Sequence, residues 1–173
     1  MPLLIVFGGL PGTGKTTLSR ELARRQGATY LRVDAIEQSL KAASLAVGAT
    51  GYDVANGLAL ENLKLDRDVI ADCVNPVLAS RIAWRETALR SAARLVEIEV
   101  ICSDAVQHRR RVEGRVADIE GLIVPSWGDV VARLYEPWDR DRIVLDTAGK
   151  PVDQLIAAIE NDIRRAAQLT GNA

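Results

Sequence analysis

A single histidine and two cysteines are too few soft ligands for a zinc site or a disulfide framework. Cys73 and Cys102 each sit in or beside an apolar run, the setting of buried thiols. Neither sign of charge is in excess: 22 Lys and Arg stand against 23 Asp and Glu. A dedicated duplex-DNA binder carries a basic surplus, so this balance argues against a nucleic-acid partner. No apolar run approaches the ~18 residues of a membrane span. No basic leader opens the chain either; Pro2 to Leu10 runs straight into a Gly-rich loop. These absences predict a cytoplasmic protein without a membrane partner. What is abundant is core material: 48% of the 173 residues are hydrophobic, ample for one domain over residues 1–173.

Apolar runs alternate with helical patterns. Leu3 to Phe7 is a continuous apolar run, as expected of a strand covered on both faces. Further strands are expected at Thr29–Val33, Val69–Asp72, Val96–Ile101 and Arg142–Leu145. Helices are expected at Lys15–Gln26, from about Ala35, and at Val54–Leu65, Ala79–Arg94, Asp104–Ile119 and Val152–Leu169. This alternation predicts an α/β fold, a parallel sheet with helices on both faces. Two stretches fit it poorly, Ala42–Gly57 and Gly121–Asp139, and such segments often cover a site.

Gly9-Leu10-Pro11-Gly12-Thr13-Gly14-Lys15-Thr16 satisfies G-x-x-x-x-G-K-[ST] at every fixed position. Glycines allow positive φ and close backbone approach, so successive N–H groups can turn inward as an anion nest. The helix that follows offers free N–H groups and a partial positive charge. Lys15 would neutralise β- and γ-phosphates, and the Thr16 hydroxyl would ligate Mg²⁺. The bland alternative is a Gly-rich turn that merely joins strand to helix.

On these residues, with Thr17 doubling Thr16, the chain resembles the P-loop NTPases. It is similar to small bacterial kinases of the nucleoside-monophosphate-kinase type: shikimate, gluconate, chloramphenicol-phosphotransferase and polynucleotide-kinase-like proteins. The resemblance implies a three-layer fold with a five-stranded parallel sheet of order 2-3-1-4-5. It also implies a helical lid, about residues 104–138, and the cofactors ATP and Mg²⁺.

Ligands gather at the carboxyl ends of parallel strands. Asp34 follows the second strand and Asp72 ends the third. The resemblance places a base or substrate carboxylate at Asp34; the alternative is a helix N-cap, with Glu37 three residues on. Asp72 is read as a metal or substrate ligand, against a structural turn acid. Arg81 is a substrate candidate or a solvated helix arginine. Polynucleotide-kinase-like proteins carry an arginine where this chain has Glu37, which favours a neutral or cationic acceptor over a phosphorylated one.

Downstream, His108-Arg109-Arg110-Arg111 leads to Arg115, with Ser103 as the expected N-cap. Val112, Val116 and Ile119 form an apolar stripe at helical spacing, flanked by Asp104, His108, Arg111 and Arg115. In the kinases this helix belongs to the lid, so Arg111 and Arg115 are expected at the transferring phosphoryl group. A solvated arginine face is the alternative. Contact with single-stranded nucleic acid would need interleaved aromatics, which the helix lacks. His108 is a weak proton-carrier candidate beside Asp34.

Ser126 and Asp129 form a capping box around Trp127, which either shapes the acceptor pocket or packs. By resemblance, Asp146 lies in the loop passing the adenine, and Tyr52 and Asp53 lie in the acceptor-binding segment. The expected activity is ATP-dependent phosphoryl transfer to a hydroxyl of a small molecule. The rivals are a kinase of a nucleotide-linked sugar or nucleic-acid end, and a non-catalytic nucleotide-dependent switch. Monomer and homodimer are both open.

Overall fold

The computed structural model describes residues 1–170. Five strands, β1 (Leu3–Gly8), β2 (Thr29–Arg32), β3 (Val69–Asp72), β4 (Arg94–Ile101) and β5 (Ile143–Asp146), pair in the order β2-β3-β1-β4-β5. All four pairings are parallel. The helices are α1 (Lys15–Gln26), α2 (Val33–Ala42), α3 (Thr50–Lys64), α4 (Leu78–Arg90), α5 (Ala105–Glu113), α6 (Trp127–Val131) and α7 (Val152–Thr170).

β1 shows why the run Leu3–Phe7 is apolar throughout. Leu3, Ile5 and Phe7 pack on Leu18 and Leu22 of α1 and on Ile156 and Ile159 of α7. Leu4 and Val6 face the other way, onto Ala55, Ala59 and Leu63 of α3 and Trp84 of α4. Successive strand side chains alternate faces, so a strand covered by helices on both sides has no polar positions. The three layers follow from that pattern, and the strand order agrees with the one the resemblance implies.

Several boundaries differ from expectation. β2 ends one residue early, because α2 begins at Val33. α3 starts at Thr50 rather than Val54. α4 stops at Arg90, four residues short: Ser91 donates its hydroxyl back to the Thr87 carbonyl, and Ala92 is left-handed at φ 51°. The chain therefore turns early, and β4 begins at Arg94. α5 ends at Glu113 with Gly114 as its C-cap, not at Ile119. The expected stripe dissolves accordingly: Val112 is buried, but Val116 is 85% exposed. The N-cap of α5 is Asp104, not Ser103; its Oδ1 accepts from the N–H groups of Val106 and Gln107.

Candidate functional site

The loop between β1 and α1 has the geometry its glycines anticipate. Gly12 and Gly14 sit at φ 83° and 99°, which side-chain-bearing residues rarely adopt. A Cβ on Gly12 would lie 2.5 Å from Val112 Cγ2, so α5 and the loop are packed without spare room. The start of α1 has no side-chain cap and no acid in its first turn. Its free N–H groups and dipole are therefore available to an anion.

One bond within the loop and two from neighbouring elements brace it. The Thr13 hydroxyl donates to the Leu10 carbonyl at 2.9 Å. The Thr147 hydroxyl, just past β5, donates to the Thr13 carbonyl at 2.8 Å. His108 Nε2, on α5, donates to the Pro11 carbonyl at 2.8 Å, and its ring is buried. That contact requires a hydrogen on Nε2 and makes His108 a support of the loop.

Lys15 is only 5% exposed, and among the described residues no carboxylate lies within ion-pair distance of it. It faces a cavity of about 420 Å³ that also touches Gly14, Thr16, Thr17, Arg111 and Arg115. The two expected lid arginines thus reach the loop from a different part of the chain. Arg111 donates to the Thr147 hydroxyl at 2.7 Å and to its carbonyl at 3.2 Å, which fixes the guanidinium over the loop. Arg109 and Arg110 border a separate hollow on the far side of α5.

At the strand ends, Asp34 sits in the first turn of α2 but does not cap it, since Arg32 holds the N-cap position. Asp34 Oδ2 is 3.7 Å from Arg32 Nη2. Asp72 is 2% exposed; its Oδ2 accepts the Tyr30 hydroxyl at 2.8 Å, and its Oδ1 is buried without a hydrogen-bond partner. Burial, together with that carboxylate, pushes the Tyr30 hydroxyl pKa far above its usual value. Burial first, and then the charge of Asp34, raises the pKa of Glu37, against the opposing pull of Lys41 and Arg133.

Other candidates lie elsewhere. Arg81 is fully buried and holds four main-chain carbonyls, of Asn75, Pro76, Glu136 and Pro137, with its guanidinium over Trp138 at 4.2 Å. It clamps the segment around Pro137 onto α4, with four of its five N–H donors spent on main-chain carbonyls and no surface exposed to a substrate. The Asp146 carboxylate accepts first from the Ser103 hydroxyl and then from the Ser103 and Ala148 N–H groups, bonds that lower its pKa; the cavity wall is Thr147 and Lys150 instead. Trp127 meets His108 edge-on at 5.1 Å and lines the far hollow. The Tyr52 hydroxyl accepts the Asn75 N–H at 2.9 Å, and burial raises its pKa; Asp53 is exposed. The expected capping box of Ser126 and Asp129 is present.

Arg32 escaped the sequence reading. It is 6% exposed, and its Nη1 and Nη2 donate to the two carboxylate oxygens of Asp118 at 2.7 and 3.0 Å. The only sequence signal was an arginine closing the short strand two residues before Asp34.

A parallel sheet of this order, with a phosphate loop after β1 and arginines converging on it, is the architecture of the P-loop small-kinase fold. The family described as AAA domain matches residues 4–123, and the chain belongs to it. A 2-phosphoglycerate kinase from Pyrococcus horikoshii is 29% identical over 96% of this chain, which spans 56% of that relative's length. A gluconokinase structure from Sinorhizobium meliloti 1021 superposes with a TM-score of 0.68 at 20% identity, covering 99% of this chain and 98% of the other. The Mycobacterium tuberculosis APS kinase CysC in complex with AMPPNP and APS gives 0.68 at 16% identity, covering 94% and 98%. At these identities the structures share the fold. No helix among the described residues is long and apolar enough to cross a membrane.

Proposed function

We propose that this protein is a cytoplasmic ATP-dependent phosphotransferase that moves the γ-phosphoryl group to a hydroxyl of a small molecule. The observation that carries this is the meeting of Lys15, Arg111 and Arg115 in one cavity at the loop. A transferring phosphoryl group spreads negative charge over its oxygens, and cations arriving from two elements suit that charge. The loop N–H groups cradle the phosphates, Lys15 neutralises them, and the lid arginines hold the moving group and help exclude water. Asp34, 3.7 Å from Arg32 on the cavity wall, orients the acceptor hydroxyl and takes its proton.

Mg²⁺ supplies further charge neutralisation when bound to the nucleotide. The groups that fit it are the Thr16 hydroxyl at the start of α1 and the partnerless Oδ1 of Asp72. Among the described residues no cluster of three or more His, Cys, Asp or Glu could hold a metal alone, as suits an ion that takes most of its ligands from phosphate and water. The relative named 2-phosphoglycerate kinase supports phosphoryl transfer as the reaction class.

The test is acceptor-dependent ADP release across sugars, sugar acids, nucleosides, antibiotics and phosphorylated metabolites. Asp34→Asn should keep ATP affinity and lose transfer by about a hundredfold or more, while Lys15→Ala should lose ATP binding itself. If no acceptor lifted ADP release above background, the protein would be a nucleotide-dependent switch.

A further inference from the structure

We propose that Arg32 is the receptor for an anionic group on the acceptor, and that Asp118 occupies it as an internal stand-in. This rests on the phosphotransfer reading above and names the class of acceptor: a hydroxy compound bearing a carboxylate or phosphate close to the hydroxyl that reacts.

Three observations carry it. Arg32 presents a two-pronged face to the cavity, and Asp118 engages it with both oxygens, the geometry by which guanidinium recognises any carboxylate or phosphate. The two partners differ in environment: the Arg32 side chain is 5% exposed, the Asp118 side chain 41%. A fixed, buried receptor is thus filled by a carboxylate that water can reach. Finally, Asp118 lies in the stretch between α5 and α6, outside any helix or strand, so it can leave without unravelling an element. Arg20, which also donates to Asp118 at 3.1 Å, adds a second cation to the same spot.

The position of the receptor fixes the chemistry of its ligand. Arg32 Nη2 is 3.7 Å from Asp34, so an anion on Arg32 holds its own neighbouring hydroxyl at the carboxylate proposed to accept the proton. Asp72, 3.8 Å from Arg32 Nε, fixes the guanidinium from behind, and that Nε has no hydrogen-bond partner. An uncharged sugar or nucleoside would have to displace Asp118 without replacing its charge, leaving a buried guanidinium short of a partner; such acceptors are therefore selected against. The Glu37 position, which from sequence favoured a neutral or cationic acceptor, is outweighed here by an arginine that faces the cavity directly.

The test uses calorimetric titration of 2-phosphoglycerate, glycerate and gluconate, with glycerol and glucose as uncharged controls. It is run on the whole protein with saturating ADP and Mg²⁺, so that the loop is already filled. At least one anionic compound should bind the wild type and the uncharged controls should not. Asp118→Asn should tighten that binding by about threefold to tenfold, Arg32→Met should weaken it by about tenfold or more, and Arg32→Lys should restore little, because a lysine lacks the fork. Phosphate-bearing and carboxylate-only ligands distinguish the two anion sources. ADP affinity should stay within about twofold in all variants, which separates an acceptor receptor from a nucleotide ligand. Equal binding by wild type and Arg32→Met, or no anionic binding even to Asp118→Asn, would overturn the proposal and make the pair a structural tie. Anion binding without any phosphoryl transfer would leave the receptor standing and remove the kinase activity instead.

Discussion

The ring Nε2 of His108 lies 2.8 Å from the carbonyl oxygen of Pro11, so the helix bearing Arg111 is hydrogen-bonded to the loop bearing Lys15. The loop and α5 are tied together, and a change on α5 should be felt at the nucleotide. His108→Ala removes the donor and leaves a buried carbonyl without its partner, a loss of about 1–3 kcal/mol. The expected outcome is a KM for ATP raised by about fivefold or more, with the KM for acceptor little changed. Steady-state kinetics against both substrates checks it; an unchanged KM for ATP would show that the contact does not shape the loop.

Glu37 offers a pH signature. Burial and the neighbouring Asp34 raise its pKa above the ordinary value of 4.5. The folded protein therefore binds this proton more tightly than the unfolded chain does. Stability from this group is fully present at low pH and is lost as pH rises from about 4.5 through the raised value. Glu37→Gln keeps the shape and removes the titration. Its stability relative to wild type should rise across that window and level off above it. Urea unfolding at a series of pH values measures the difference, and a flat difference would mean that the carboxyl is solvated in the folded state.

What the sequence made legible is what repeats or obeys a fixed spacing. The alternation of apolar runs placed all five strands, and Gly27 closed α1 where its pattern ended. Contacts between distant segments were not legible. Nothing local to Asp118 marks it as a partner for Arg32, 86 positions away, and nothing near Arg81 reveals that it faces carbonyls some 55 residues on. α5 shows the same limit on a smaller scale. Its helical spacing continues past Gly114, yet the helix stops there and the following stretch carries Asp118 to Arg20 and Arg32. Long-range ion pairs decided what periodicity left ambiguous. Asp146 and Thr147 are adjacent in sequence but differ in role. The carboxylate closes a turn onto Ser103, and the hydroxyl braces the loop.

The tight fit between Gly12 and Val112 separates two reasons for a glycine. Gly12→Ala brings both a clash, with Cβ 2.5 Å from Val112 Cγ2, and the strain of a side chain at φ 83°. Left-handed backbone alone costs a non-glycine residue about 1–2 kcal/mol, whereas the clash must be relieved by moving the loop or α5. Val112→Ala removes the obstructing methyl groups at the expense of some core packing. The double variant should therefore recover part of the ATP affinity lost in Gly12→Ala, and the unrecovered remainder reports the backbone strain together with the milder crowding by His108, whose Cδ2 lies 3.2 Å from the same Cβ. Val112→Ala alone should lower thermal stability while leaving ATP affinity near that of the wild type. Titration of ATP into the four proteins completes the cycle. If the double variant bound ATP no better than Gly12→Ala, the clash with Val112 would not be what keeps position 12 a glycine, and the φ requirement with the His108 contact would account for it.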